Sequence, residues 1–128
     1  MAFLTLQDIS MRFGSGERGF LALDRISLSV AEGEFVTLIG HSGCGKSTLL
    51  NLIAGLMVPS AGRIMCDGRV IDRPGPDRGV VFQNHSLLPW MTCYENVLLG
   101  VRQVFGKTRS PAGLRDKVEA SLSLVHLD

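Results

Sequence analysis

The sequence predicts an α/β fold: an antiparallel β region opens the chain, a strand–loop–helix core follows, and helices end it. Three observations carry this. Glu34–Ile39 is a short apolar run leading directly into a glycine-rich loop and then an apolar run, Leu49–Ala54. Arg25–Val30 alternates, apolar at Ile26, Leu28 and Val30, the period of a half-buried strand. Thr92 and Glu95 form a T-x-x-E capping box ahead of Tyr94, Val97, Leu98 and Val101, which stand at helical spacing.

Taken in order, residues 3–13 read as a strand, with Leu4 and Leu6 on one face and Thr5, Gln7 and Ile9 on the other. Residues 14–19 have turn composition. Glu32-Gly33 turns the second strand into the run at 34–39, read as a buried strand. The helix after the glycine loop is apolar nearly all round, which predicts burial on both sides, with Pro59 ending it. Asp67-Gly68 between Arg63–Cys66 and Arg69–Ile71 is a hairpin signal. Residues 72–77, with two prolines and a glycine, form a loop, and Gly79–Phe82 is a second apolar strand ending at Gln83. A loop runs through Pro89 to the capped helix, which Gly106–Arg109 breaks. Ser110 caps the last helix, with Pro111 at its first position and Leu114, Val118 and Leu122 as its stripe.

Composition excludes several classes. The chain has 128 residues, 45% hydrophobic and 20% charged, ordinary for a domain with a core. A net charge of +1 gives no reason to expect a nucleic-acid partner. The longest apolar run, interrupted by Asn51 and Gly55, is too short to span a bilayer, and the N-terminus lacks a basic segment and cleavage site. Cys44, Cys66 and Cys93 are odd in number and far apart, which fits neither a disulfide framework nor a zinc site.

Gly40-His41-Ser42-Gly43-Cys44-Gly45-Lys46-Ser47-Thr48 is G-x-x-x-x-G-K-[ST] without a gap. Between a strand and a helix, this pattern cradles phosphates. Glycines let successive N–H groups face an anion, and the helix N-terminus adds the positive end of its dipole. Lys46 would reach the β- and γ-phosphates, and the Ser47 hydroxyl would sit on Mg²⁺. The alternative is a glycine-rich turn that matches by chance. The motif and its flanks make the core a P-loop NTPase core.

Further stretches carry a resemblance along essentially the whole chain: Gly33-Glu34-Phe35, Ala54-Gly55-Leu56, Pro59-Ser60-Ala61-Gly62, Asp67-Gly68 and, most specific, residues 74–90 with Val81-Phe82-Gln83. They resemble the ATP-binding subunit of ABC transporters, in the nitrate, sulfonate or taurine importer group, and are most similar to the nitrate group. The resemblance implies ATP and Mg²⁺ as ligands, with Gly40, Ser42, Gly43, Cys44, Gly45, Lys46, Ser47 and Thr48 around the phosphates and Thr48 near the α-phosphate. It implies that Gln83 touches Mg²⁺ and the attacking water, alongside Lys46 as a catalytic group. Phe13 matches the aromatic that stacks on adenine, with Phe20 as its competitor. Leu87–Trp90 matches a surface near the membrane subunit.

The resemblance further implies a head-to-tail partner in a second ATP-binding subunit, transmembrane permease subunits, and a peripheral place on the cytoplasmic face of a bacterial-type inner membrane. It divides the chain into a β region at 1–33, a P-loop to Q-loop core at 34–83, and the start of a helical subdomain at 84–128. The family's Ser-Gly-Gly-Gln-type loop, Asp-Glu-terminated strand and later histidine do not occur in these residues. The expectation is therefore a truncated, N-terminal part that binds ATP without hydrolysing it. The alternatives are a non-functional truncated product, or another P-loop NTPase such as a GTPase. For the last, Asp72-Arg73-Pro74-Gly75 spells D-x-x-G, but no Asn-Lys-x-Asp accompanies it.

Overall fold

The structure, a computed structural model, describes residues 2–15 and 19–127. The chain divides into two compact units, Met1–Gly79 and Val80–Asp128. Of the turn expected at 14–19, residues 16–18 lie outside the described residues.

The first unit holds strands β1 (Ala2–Phe13), β2 (Phe20–Ala31), β3 (Ala61–Cys66) and β4 (Arg69–Val70), and helix α1 (Lys46–Ala54). The strands form one antiparallel sheet in the order β2-β1-β3-β4. The β3–β4 hairpin turns on Asp67 and Gly68, both at positive φ (46° and 72°), the backbone an Asp-Gly type I′ turn requires. The Ile71 N–H donates to Ile64 O at 2.8 Å, extending the ladder one residue past β4.

In β1 the simple alternation fails. Leu6 and Ile9 are both fully buried in one core cluster, so Ile9 does not share the face of Gln7. The cause is a register shift between Leu6 and Ile9, with Asp8 at φ 48°. A bulge adds one residue and moves every later side chain to the other face. Ser27 Oγ holds the bulge, accepting from the Asp8 N–H at 3.0 Å and donating to Asp8 Oδ1 at 3.2 Å.

Leu49 and Leu52 of α1 pack on Leu6, Ile9, Leu23 and Ile64. Ala54, farther round the helix, is buried as well, but Leu50 is exposed, so the burial expected nearly all round is only partial. Nor does Pro59 end the helix. Gly55, at φ 77°, ends it four residues earlier, its N–H donating to Leu52 O while the Leu56 N–H donates to Asn51 O. This is the paired C-terminal cap that glycine favours.

The two strands expected at 34–39 and 79–82 are absent: neither segment joins a ladder among the described residues. Phe35 is 92% exposed, Ile39 91% and Val81 100%. Apolar sequence alone does not make a strand, which exists only by pairing with a neighbour. The sheet formed by β1 to β4 does not offer one to either segment.

The second unit holds α2 (Cys93–Phe105) and α3 (Pro111–Leu124). Both start where the sequence places them. Thr92 Oγ1 accepts from the Glu95 N–H at 3.2 Å while Glu95 Oε2 accepts from the Thr92 N–H at 2.7 Å. Ser110 Oγ accepts from the Gly113 N–H at 3.2 Å. Val101, Leu114, Val118 and Leu122 form the core between the helices, joined by Tyr94, Val97, Leu98 and Phe105.

Candidate functional site

The loop between residue 40 and α1 is built by two left-handed glycines. Gly43 has φ 79° and Gly45 φ 98°. At Gly45 the requirement is double, because a Cβ there would meet Leu23 Cδ2 at 2.8 Å and Ala22 O at 2.9 Å. The loop is thus pressed onto β2, and only glycine fits the contact. Gly45 is also the N-cap of α1, and it offers no side chain to cap the helix. The first helical N–H groups, those of Lys46, Ser47 and Thr48, have no acceptor among the described residues. The Leu49 N–H is the first to be satisfied, by Gly45 O at 2.9 Å. Three unpaired donors at the positive end of a helix are a geometry that suits an anion.

Lys46 completes it. Its Nζ donates to Gly40 O at 2.7 Å, His41 O at 2.6 Å and Cys44 Sγ at 3.3 Å. The ammonium is therefore drawn back over the loop that precedes it, rather than extended into solvent.

A cavity of about 280 Å³ opens beside the loop, lined by Ser42, Gly43, Gly45, Lys46, Ser47 and Thr48 together with Phe13, Phe20 and Ala22. The fold thus brings Phe13 to the cavity beside the glycine loop, far from it in sequence. The β1–β2 pairing does this, since Phe13 is the direct cross-strand partner of Phe20 and β2 carries the loop's contact at Ala22 and Leu23. Ala22 and Leu23 gave no sequence signal as site residues; their place depends on the hairpin register. Gly40 and Cys44 are not among the residues lining the cavity. Cys44 instead fills the space beside Gly40.

Gln83 belongs to the other unit. It is exposed and, with Val80, Val81, Phe82, Asn84, His85 and Ser86, lines a hollow of about 480 Å³. Leu87 and Trp90 follow it, also exposed.

With this geometry, a family model described as ABC transporter matches residues 23–128. The chain belongs to the ABC transporter family. Nitrate transport protein NasD of Klebsiella oxytoca is 52% identical to this ABC transporter chain over 124 residues, which cover 97% of the chain and 47% of NasD. Bicarbonate transport ATP-binding protein CmpD of Synechococcus elongatus is 49% identical over 125 residues, covering 98% of the chain and 45% of CmpD. The chain spans about half the length of the curated relatives it matches.

Among solved structures, the dimeric post-hydrolysis state of the ATP-binding cassette MJ0796, bound to ADP and Pi, matches with a TM-score of 0.82 and 30% identity. That match covers 98% of the chain and 58% of the cassette. A nucleotide-free ABC transporter cassette matches with a TM-score of 0.72 and 29% identity, covering 99% and 55%. The ABC cassette fold expected from the sequence, antiparallel β region and helices included, is the one present. Among the described residues, no helix of this ABC transporter chain is long and apolar enough to cross a membrane.

Proposed function

We propose that this chain is the nucleotide-holding part of an ABC-type ATPase that couples ATP hydrolysis to uptake of a small anion. The observation that carries the reading is the row of unpaired donors at Lys46, Ser47 and Thr48, all lining a cavity that Phe13 also lines. Phosphate oxygens are the acceptors such a row suits.

In this reading Gly40, Ser42, Gly43, Cys44 and Gly45 set the curl of the loop around the phosphates. Lys46 leaves its carbonyl partners to meet the β- and γ-phosphates, and Thr48 bonds the α-phosphate. The Ser47 hydroxyl is the kind of oxygen donor Mg²⁺ takes, an ion that keeps most of its other ligands from phosphate and water. An ion held there would supply charge neutralisation for the phosphates. Phe13 stacks on the base, worth about 1–3 kcal/mol by aromatic stacking. Gln83, whose amide offers both acceptor and donors, is the residue that would meet the metal and the attacking water.

The division into a β region at 1–33, a core at 34–83 and the start of a helical subdomain at 84–128 is part of the same reading. So are a second ATP-binding subunit facing the first, permease subunits as membrane partners, and a peripheral place on the cytoplasmic face. The names of NasD and CmpD, nitrate and bicarbonate transport, support a small oxygen-rich monoanion, nitrate-like, as the cargo. These residues alone hold ATP and do not turn it over.

The test is a magnesium-dependent ATP titration of the purified chain and its Lys46→Ala variant, with released phosphate measured in parallel. Saturable binding lost in the variant, with no phosphate release, is expected. Phosphate release by the chain that disappears in Lys46→Ala overturns the binding-only part.

A second reading is a chain that does not retain nucleotide at all. The exposure of Phe35, Ile39 and Val81 favours it, because unpaired apolar segments promote association between chains. Absence of saturable binding in the same titration would select it.

A further inference from the structure

Phe13 and Phe20 compete in the sequence for one role, stacking on a base. Here they are direct cross-strand partners at the end of the β1–β2 ladder. Directly opposed residues put their side chains on the same face of a sheet, with Cβ atoms about 4.5–5.5 Å apart. Both line the cavity at the phosphate loop. Both are open to solvent, Phe13 at 40% and Phe20 at 63%. Neither belongs to the core cluster of its unit, so neither is held there by packing with the interior. Next to them the Arg12 guanidinium donates to Gly19 O at 3.1 Å, fastening the two strand ends across the hairpin.

Two large apolar rings, side by side, exposed, and adjacent to a row of unpaired donors are costly to leave in water, and neither is packed into the core. We propose that Phe20 joins Phe13 in a two-ring floor for the base, and that this floor selects purine over pyrimidine nucleotides. The physical reason is area. A single ring offers a stacking surface the size of a pyrimidine; two adjacent rings cover the fused bicycle of a purine. Stacking scales with the surface covered and is tolerant of the base's hydrogen-bonding edge. The floor therefore distinguishes ring count, not adenine from guanine.

The inference rests on the nucleotide-binding reading, and its test separates the two. Affinities of the purified chain and of Phe20→Ala and Phe20→Tyr are measured for ATP, CTP and inorganic tripolyphosphate, with magnesium. The unmodified chain is expected to prefer ATP to CTP. Phe20→Ala is expected to weaken ATP about tenfold, weaken CTP less, and leave tripolyphosphate unchanged. Phe20→Tyr, which keeps the ring, is expected to keep the ATP affinity within about twofold. Because Phe20 lies outside the core, unchanged tripolyphosphate binding also reports an intact loop. An unmodified chain that binds ATP and CTP alike overturns the proposal. So does a Phe20→Ala variant whose ATP-to-tripolyphosphate ratio is that of the unmodified chain, or one that weakens both ligands equally. If the unmodified chain fails to bind tripolyphosphate, the phosphate-loop reading falls and the floor falls with it.

Discussion

Lys46 Nζ lies 2.7 Å from Gly40 O, so the loop's own cation is tethered to the loop's first residue. An anion entering the loop must replace that carbonyl and the one at His41, and an ammonium trades neutral acceptors for charged ones at a gain. Lys46→Ala removes both the tether and the charge. Affinity for magnesium ATP is expected to fall by at least about tenfold, in line with one charge-assisted bond of about 1.5–3 kcal/mol. Titration calorimetry checks this, and an unchanged dissociation constant would place the phosphates elsewhere.

Gly40 is crowded by Cys44: a Cβ at residue 40 would meet Cys44 Sγ at 2.5 Å. The thiol in turn accepts from Lys46 Nζ at 3.3 Å, so moving it disturbs the cation. Gly40→Ala is expected to weaken tripolyphosphate binding by about 1 kcal/mol, at the low end for overpacking because a side-chain tip can yield. Trimming the thiol in Gly40→Ala/Cys44→Ala is expected to restore most of that loss. A double variant no better than the single one would show that the clash is not the cause.

Ile9 sits in the core because of the bulge at Asp8. Ile9→Ala is expected to cost about 2–5 kcal/mol, as for other buried isoleucines, while Gln7→Ala costs under about 0.5 kcal/mol. Urea midpoints of the two variants give the comparison. Equal and small effects would mean that the alternation continues unbroken through β1.

The Glu95 carboxyl is held below its ordinary value of 4.5, first by the hydrogen bond from the Thr92 backbone N–H and then by the Thr92 side chain. A carboxylate with a depressed folded pKa stabilises above its unfolded pKa and loses that contribution as pH falls through the folded one. The helicity contributed by α2 is thus expected to weaken on acidification from about pH 4.5 downward. Glu95→Ala is expected to remove this part of the acid dependence, and circular dichroism against pH for the two proteins is the measurement. Parallel curves would deny the cap a role.

Cys44 and Cys93 are exposed, whereas Cys66 is half-buried, and burial pushes its thiol up in pKa. Thiolate is the reactive form, so iodoacetamide near neutral pH is expected to label Cys66 last. Magnesium ATP is expected to slow labelling of Cys44, in the glycine loop, and leave Cys93 alone. Peptide mapping by mass spectrometry resolves the three sites. Equal protection of Cys44 and Cys93 would indicate a global effect rather than occupancy of the loop.

Local chemistry was legible from the residues. Asp67-Gly68 turns where two positive φ angles are needed, Thr92 and Ser110 cap their helices, and 40–48 curls as its glycines allow. Each depends on a few neighbours along the chain. Periodicity also placed the stripes of α2 and α3, whose core is made of the residues at that spacing. It failed at Ile9, because one extra residue in β1 inverts the pattern without altering composition, and at Pro59, because Gly55 reaches a left-handed cap first.

By itself the sequence determined the glycine loop, its cation and its family, because glycine, lysine and serine at fixed spacing encode a local backbone shape and a charge. Only the tertiary structure decided that Phe13 and Phe20 stand side by side at that loop, and that 34–39 and 79–82 stay unpaired. Cross-strand register and strand pairing are long-range: they depend on which backbone lies alongside, and no run of residues carries that information alone.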